Sequence, residues 1–236
     1  LGVEPDLDCH NPLLATEALK QASLVVSMSP YKHSAALEYA DVLLPVAPFT
    51  ETSGTFVNAE GRIQSFSGVV RPLGDTRPGW KVLRVLGNLL GLAGFDHESS
   101  EQVRDEVMPG ATQFADGLSN AIGDLPLTLE QSEVSASLQR IAQVPIYFSD
   151  ALVRRAASLQ MTKDSAVPAV RLAKETIEKL GLSVGEAVRV TQNAGQAVLE
   201  VEVDDAVPAG CAGVLAGHAG TAMLGDMFGV ITVERA

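Results

Sequence analysis

Six residues of the kinds that grip ligands, Glu51, Gly54, Asn58, Glu60, Gly61 and Arg62, fall within the stretch "ETSGTFVNAEGRIQ", Glu51 to Gln64. Its glycines permit backbone conformations closed to other residues. Asn58 can hydrogen-bond to its own or neighbouring backbone, and Glu60 and Arg62 can pair or reach across to another segment. Such a mixture makes either a tight structural loop or a ligand cradle, and the residue types alone leave both open.

Other clusters carry less chemistry. "DLDCH", Asp6 to His10, holds carboxylate, thiol and imidazole together. Adjacent ligands chelate one ion poorly and no second cluster at ligand spacing accompanies it, so it reads as a surface turn. His33 and His97 are solitary; Asp41 can orient His33, yet no activated Ser or Cys joins them, and no catalytic residue is assigned. "GHAGTAMLGDMFG", Gly217 to Gly229, lacks the Lys-Ser/Thr ending of a P-loop and the glycine spacing of a dinucleotide turn. It reads as a flexible loop closing a barrel. The two cysteines, Cys9 and Cys211, are too few and too far apart for an iron-sulfur or zinc site, so no metal site is assigned.

The elements that must position these residues come in two kinds. "SLVVSMSP" and "ADVLLPVAPF" read as buried parallel strands, with "HSAALEYA" as a short helix between them and Asn11–Gln21 as a helix before them, Pro12 in its first turn. In "GDTRPGWKVLRVLGNLLGLAG" Trp80, Leu83, Leu86 and Leu90 recur at helical spacing; Asp75 or Thr76 can cap this helix, and Gly91 or Gly94 ends it. "SSEQVRDEVM" supplies a shorter helix, and a meandering linker follows it. Later, "AVRLAKETIEKLG" reads as one amphipathic helix through Val170, Ala173, Ile177 and Leu180. "AVRVT" and "AVLEVEV" then alternate, with Val188, Val190, Leu199, Val201 and Val203 on one face and "QNAGQ" as the turn; "CAGVLAG" and "GVITVERA" add two strands. Short strands separated by Gly and Pro close into a small barrel. The expected fold class is therefore α/β: a partial Rossmann-like parallel layer over 1–95, an acidic linker with short helices over 96–162, and a small double-psi-type β-barrel over 163–236.

Composition narrows the partners. The 236 residues are 46% hydrophobic and 19% charged, with a net charge of -12. Phosphate neutralisation needs clustered Lys and Arg, so nucleic acid is excluded as a partner. No run approaches the roughly 20 apolar residues needed to cross a bilayer, so no direct membrane insertion is expected. Ten acidic residues against two basic ones lie between Asp96 and Asp150, which reads as a surface segment. Cysteine usage suits a reducing cytoplasm. The start at Leu1, with no initiator Met, suggests a piece of a longer chain.

"ADVLLP", "ETSGTFVNAEGRIQ" and "PLGDTRPGWKVLRVLGNLLGL", in this order, closely resemble the molybdopterin-oxidoreductase superfamily, in which an acidic residue, then G-T, then N-x-E-G-R-x-Q follow an A-D-V-x-L-P strand. Within it, "SPYKHSAALEYADVLLPVAPFTETSGTFVNAEGR" looks most like the iron-sulfur-bearing member that serves in bacterial NADH-quinone oxidoreductase, respiratory complex I. "IEKLGLSVGEAVRVTQNAGQAVLEVEV" is similar to the superfamily's double-psi barrel.

The resemblance implies that Glu51, Gly54, Thr55, Asn58, Glu60, Gly61, Arg62 and Gln64 sit at the inner edge of the α/β layer, near where catalytic relatives hold a pterin guanine dinucleotide. Under the complex I resemblance these positions are vestigial or structural. No His- or Arg-containing run is found just ahead of "VPAVRL", so molybdopterin is not expected, and the parent polypeptide's iron-sulfur clusters are expected upstream of this chain. The expectation is a non-catalytic, C-terminal docking part of the complex I peripheral arm. Its partners would be the other peripheral-arm proteins and the N-terminal part of its own polypeptide, and its place the cytoplasm, peripheral to the inner membrane. The alternative is the C-terminal pterin-binding part of a catalytic molybdenum oxidoreductase such as a formate dehydrogenase.

Overall fold

The computed structural model describes residues 1–110, 123, 137–165 and 167–236. The expected linker between 96 and 162 lies partly outside these residues. In chain order the elements are α1 Pro5–Asp8, α2 Pro12–Gln21, β1 Val26–Ser29, α3 Ala36–Tyr39, β2 Val42–Pro45, β3 Gly54–Val57, β4 Ile63–Phe66, α4 Gly79–Leu89 and α5 Ser100–Val107. There follow β5 Leu138–Ile141, α6 Ala157–Gln160, β6 Ala169–Leu172, α7 Lys174–Leu180, β7 Ala187–Gln192, β8 Gly195–Val203, β9 Cys211–Val214 and β10 Phe228–Arg235. The chain forms two compact units: Leu1, Val26–Lys32 and Val42–Leu129 make one, and Gly2–Val25, His33–Asp41 and Glu130–Ala236 make the other.

The first unit carries the α/β, Rossmann-like region. β1 and β2 pair in parallel, Val26 opposite Val42 and Ser29 opposite Pro45. Their apolar runs predict burial. Instead Val26, Val42 and Leu43 are each about two-fifths exposed, because a two-stranded sheet has no further strand to cover them. The glycine- and asparagine-containing stretch, loop-like in composition, is an antiparallel hairpin, β3 with β4, Gly54 opposite Phe66 and Val57 opposite Ile63. In α4 neither Asp75 nor Thr76 caps the helix: Pro78 takes the N-cap position, and the Thr76 hydroxyl donates to the Leu73 carbonyl at 2.7 Å. Gly91 follows the C-terminus at φ +68°, where the left-handed region ends a helix without steric cost. Ser99 caps α5 through its hydroxyl, which accepts from the Gln102 N–H.

In the second unit six strands close into a barrel in the order β10-β5-β9-β6-β8-β7. β5 runs parallel to β9 and β6 parallel to β8, while the other neighbours are antiparallel, the double-psi arrangement. Alternation builds its interior: Val188, Val190, Ala197, Leu199 and Val201 point in and are at most 9% exposed. Val203, expected on the same face, is 48% exposed because β8 ends there. The single helix expected from Val170 onward is split. Ala169–Leu172 form β6, with Val170 and Leu172 fully buried, and only Lys174–Leu180 are helical, stopped by Gly181 at φ +67°. β5 lies inside the stretch expected to be a linker. Asn11 caps α2 by accepting from the Leu14 N–H, with Pro12 at its first position as expected. No helix among the described residues is long and apolar enough to cross a membrane.

Candidate functional site

The hairpin residues have local tasks. The Glu51 carboxylate accepts from the Leu73 N–H at 3.0 Å, and Gly54 lies flat against the Phe66 ring, which a Cβ would strike. The Asn58 side-chain oxygen accepts from the backbone N–H groups of Glu60 and Arg62, closing the turn, and Gly61 occupies φ +77°. Glu60 and Arg62 point to solvent, their charged groups 3.8 Å apart. Glu51 also borders an open cleft of about 520 Å³ with Arg71, Arg77 and Lys81.

At the carboxyl ends of β1 and β2 lies a pocket of about 310 Å³ lined by Ser27, Ser29, Tyr31, Lys32 and Pro45. Open parallel sheets bind ligands at this end, where strand termini and the following turns leave a crevice. Sequence reasoning misses these residues, although two hydroxyl-bearing side chains ahead of a proline are a usable sign.

In the barrel unit the glycine-rich segment joins β9 to β10, as expected, and is held from inside by a residue the sequence does not single out. Arg140, on β5, is 2% exposed. Its guanidinium donates to the carbonyls of Leu215 at 2.9 Å and Asp226 at 2.7 Å, the two ends of the segment, and to the Gln192 side chain at 2.9 Å. Burial pulls its pKa down to about 10, opposed by the Asp226 charge, so it remains a cation at neutral pH. The Asp226 carboxylate accepts from Asn11 at 2.7 Å and Asn193 at 3.5 Å. Gly195 admits the Met223 carbonyl so closely that any Cβ would collide with it.

His218 stands on this segment, its ring 4.7 Å from that of Phe148. Burial lowers its pKa, which favours the neutral ring. Its Nδ1 accepts from the Gly220 N–H at 3.0 Å, which leaves the proton on Nε2 as a hydrogen-bond donor. The backbone amides of a glycine-rich turn beside a neutral N–H donor suit the oxygen-rich groups of a dinucleotide.

Arg154 and Arg155, more than ten residues before "VPAVRL", serve a buried ion network. Arg154 meets Glu4 at 2.9 Å and Asp8 at 2.8 Å, and Arg155 meets Glu4 at 2.6 Å. Burial pushes the Glu4 carboxyl up, but the Arg155 hydrogen bond and the charges of His33, Arg155 and Arg154 together hold it below its usual range. His33 pairs with Asp6 at 2.7 Å rather than with Asp41, whose carboxylate accepts from the Val25 N–H. "DLDCH" thus sends its side chains to different partners: Asp6 to His33, Asp8 to Arg154, and His10 toward Asp226.

The chain thus combines a partial Rossmann-like layer with a double-psi barrel and a clamped glycine loop, and comparison with known proteins identifies the family that has this combination. The family model "Molybdopterin oxidoreductase" matches residues 2–89, and "Molydopterin dinucleotide binding domain" matches residues 147–228. The chain belongs to the molybdopterin-oxidoreductase superfamily. Over 69 residues it is 42% identical to a protein of Staphylococcus aureus (strain USA300) and 38% identical to one of Staphylococcus haemolyticus (strain JCSC1435), both named "Putative formate dehydrogenase". The aligned stretch is 29% of this chain and 7% of each of those proteins. The acetylene hydratase of Pelobacter acetylenicus shares the fold, with a TM-score of 0.70 at 17% identity over all of this chain and 44% of its own.

These findings overturn three expectations. A dinucleotide-binding match across the barrel contradicts a part that uses no molybdopterin. Matches to formate dehydrogenases contradict a non-catalytic docking role and the attribution to an NADH-quinone oxidoreductase. The misleading cue is the lack of a His- or Arg-containing run just ahead of "VPAVRL", set above the barrel pattern that the domain match follows.

Proposed function

We propose that this chain is the C-terminal, pterin-dinucleotide-binding part of a molybdenum-type oxidoreductase of the formate dehydrogenase kind, acting in the whole enzyme on a small acid such as formate. The observation that carries the reading is the dinucleotide-binding match at 147–228, which falls on a barrel whose glycine-rich segment is pinned at both ends by Arg140. In this reading the amides of Gly217 to Ala219 and the Nε2–H of His218 hold the nucleotide end of the cofactor, while the Gly220 N–H sets the His218 tautomer. Arg140 keeps that segment in place without touching the ligand. When bound, the cofactor supplies two-electron redox chemistry.

The residues of this chain bind and orient. A neutral His218 donates a hydrogen bond without adding charge, and its ring is held against that of Phe148. The hairpin residues Glu51, Gly54, Asn58, Glu60, Gly61 and Arg62 shape backbone in this reading. The partner of this part is the remainder of its own enzyme.

The test is isolation of the full polypeptide that carries this segment, with oxidised-pterin fluorescence, nucleotide release on acid hydrolysis and elemental analysis. Stoichiometric pterin and nucleotide are expected, with occupancy falling several-fold in His218→Ala. A polypeptide without pterin overturns the reading.

A further inference from the structure

Within the first unit, α4, the turn after it and α5 line an open-sided pocket of about 300 Å³ that the proposed function does not use. Its walls are apolar, from Leu83, Phe95, Val103 and Val107. Phe95 is seated in the notch left by Gly87, where a Cβ would collide with the ring, so this wall is fixed by close packing.

Two polar groups of α4 stand out against that lining. Trp80 and Arg84, one helical turn apart, both line the pocket. The indole Nε1–H of Trp80 and the Nε–H of Arg84 are buried without a hydrogen-bond partner among the described residues. No carboxylate among those residues pairs with the Arg84 guanidinium either. The acidic residue on the lining, Glu106, is taken by His97 at 2.5 Å. Buried donors are nearly always satisfied, so these two N–H groups, one turn apart on α4, mark a place for an acceptor.

We infer that this pocket binds a small organic acid with an apolar body, the carboxylate on the guanidinium of Arg84 and the body against Leu83, Phe95 and Val107. A guanidinium presents two parallel N–H donors to a carboxylate, which an alcohol cannot match and an amine would repel. The size lies at the lower end for ligand pockets, which favours a single ring or short chain over a nucleotide.

Trp80 is the chain's one tryptophan, so its fluorescence reports on this pocket without a label. The full 236-residue chain is titrated with 3-phenylpropionate, 3-phenylpropanol and 3-phenylpropylamine, excited at the red edge of the indole band. Saturable quenching or shift by the carboxylate is expected, at least tenfold tighter than by the alcohol and absent with the amine. Arg84→Met, checked by its circular-dichroism melt, is expected to weaken the carboxylate at least tenfold and leave the alcohol unchanged. The comparison of the three probes on the unaltered chain needs no variant and stands if Arg84→Met fails to fold. No saturable response to 3-phenylpropionate, equal binding of the alcohol or the amine, or full affinity in a folded Arg84→Met chain overturns the proposal.

Discussion

The barrel and the β1–β2 pair are built from similar sequence, short runs rich in Val and Leu, yet they end in opposite environments. Val188, Val190 and Val201 are at most 1% exposed, whereas Val26 and Val42 are 39% and 40% exposed. Closure makes the difference. Six strands joined edge to edge give every strand two neighbours and one shared interior, while two parallel strands leave both edges open. Burial of a valine is thus a property of the sheet it joins more than of the strand it lies in. The barrel accordingly supplies a rigid frame on which the Leu215–Asp226 segment is clamped.

The sharpest way to break this contrast is a pair of leucine truncations. Leu172→Ala, in the barrel interior, should cost about 2–5 kcal/mol through lost burial and the cavity left behind, whereas Leu89→Ala, 80% exposed on α4, should change stability by roughly 0.5 kcal/mol or less. Denaturant unfolding followed by circular dichroism checks both; equal losses would refute the barrel as the stable core.

Arg140→Met comes next. It removes a buried cation that satisfies two carbonyls and an amide oxygen, and should cost about 3 kcal/mol. Amide exchange should quicken across Leu215–Asp226 while β7 and β8 stay protected. Uniform loss of protection would make Arg140 a general core residue rather than a clamp.

Acid should separate two groups of the same unit. The folded pKa of His218 lies below its ordinary value near 6.5, so the unfolded chain takes up the proton first: stability is complete above that value and is lost as pH falls from it through the folded value. Glu4, held below 4.5, contributes stability that is present above 4.5 and is lost as pH falls through its depressed value. Denaturation midpoints measured from about pH 8 to about pH 3 should therefore decline in two stages, and His218→Gln should flatten the upper one. A single decline below pH 4.5 in the unaltered chain would leave His218 without the burial assigned to it.

The smallest effect belongs to Arg62→Ala. The side chain is 69% exposed and 3.8 Å from an equally exposed Glu60, so the change should cost about 0.5 kcal/mol or less. Asn58→Ala, which opens two hydrogen bonds of the turn, should cost more, roughly 1 kcal/mol. Reversal of that order, read in the same denaturation experiment, would give Arg62 a partner that the hairpin does not show.

Much of the second unit is legible in the sequence because its signals are local. Alternation along β7 and β8 needs only neighbouring residues to be read, and so does the Asn11-Pro12 start of α2. β5 is not legible: its inward residue is the cation Arg140, which breaks the apolar alternation by which an interior face is recognised. The four residues of β6 merge into the helical period of α7, since Val170 and Ile177 are spaced as a helix would space them. The β3–β4 hairpin is hidden behind its own turn, although "GTFV" and "IQSF" on either side of a glycine-containing connection carry the pattern.

The sequence by itself determined the superfamily motifs, the glycine-rich segment, the Pro12 start of α2, and the inward face of the central barrel strands, because each depends on residues a few positions apart. Tertiary structure alone decided that β5 lies beside β9 and β6 beside β8, that Arg140 reaches both ends of a segment more than seventy residues away, and that Glu4 gathers Arg154 and Arg155. Those pairings join residues distant along the chain, and their stability comes from burial, which removes competing water from the ions and carbonyls, a quantity that no local pattern encodes.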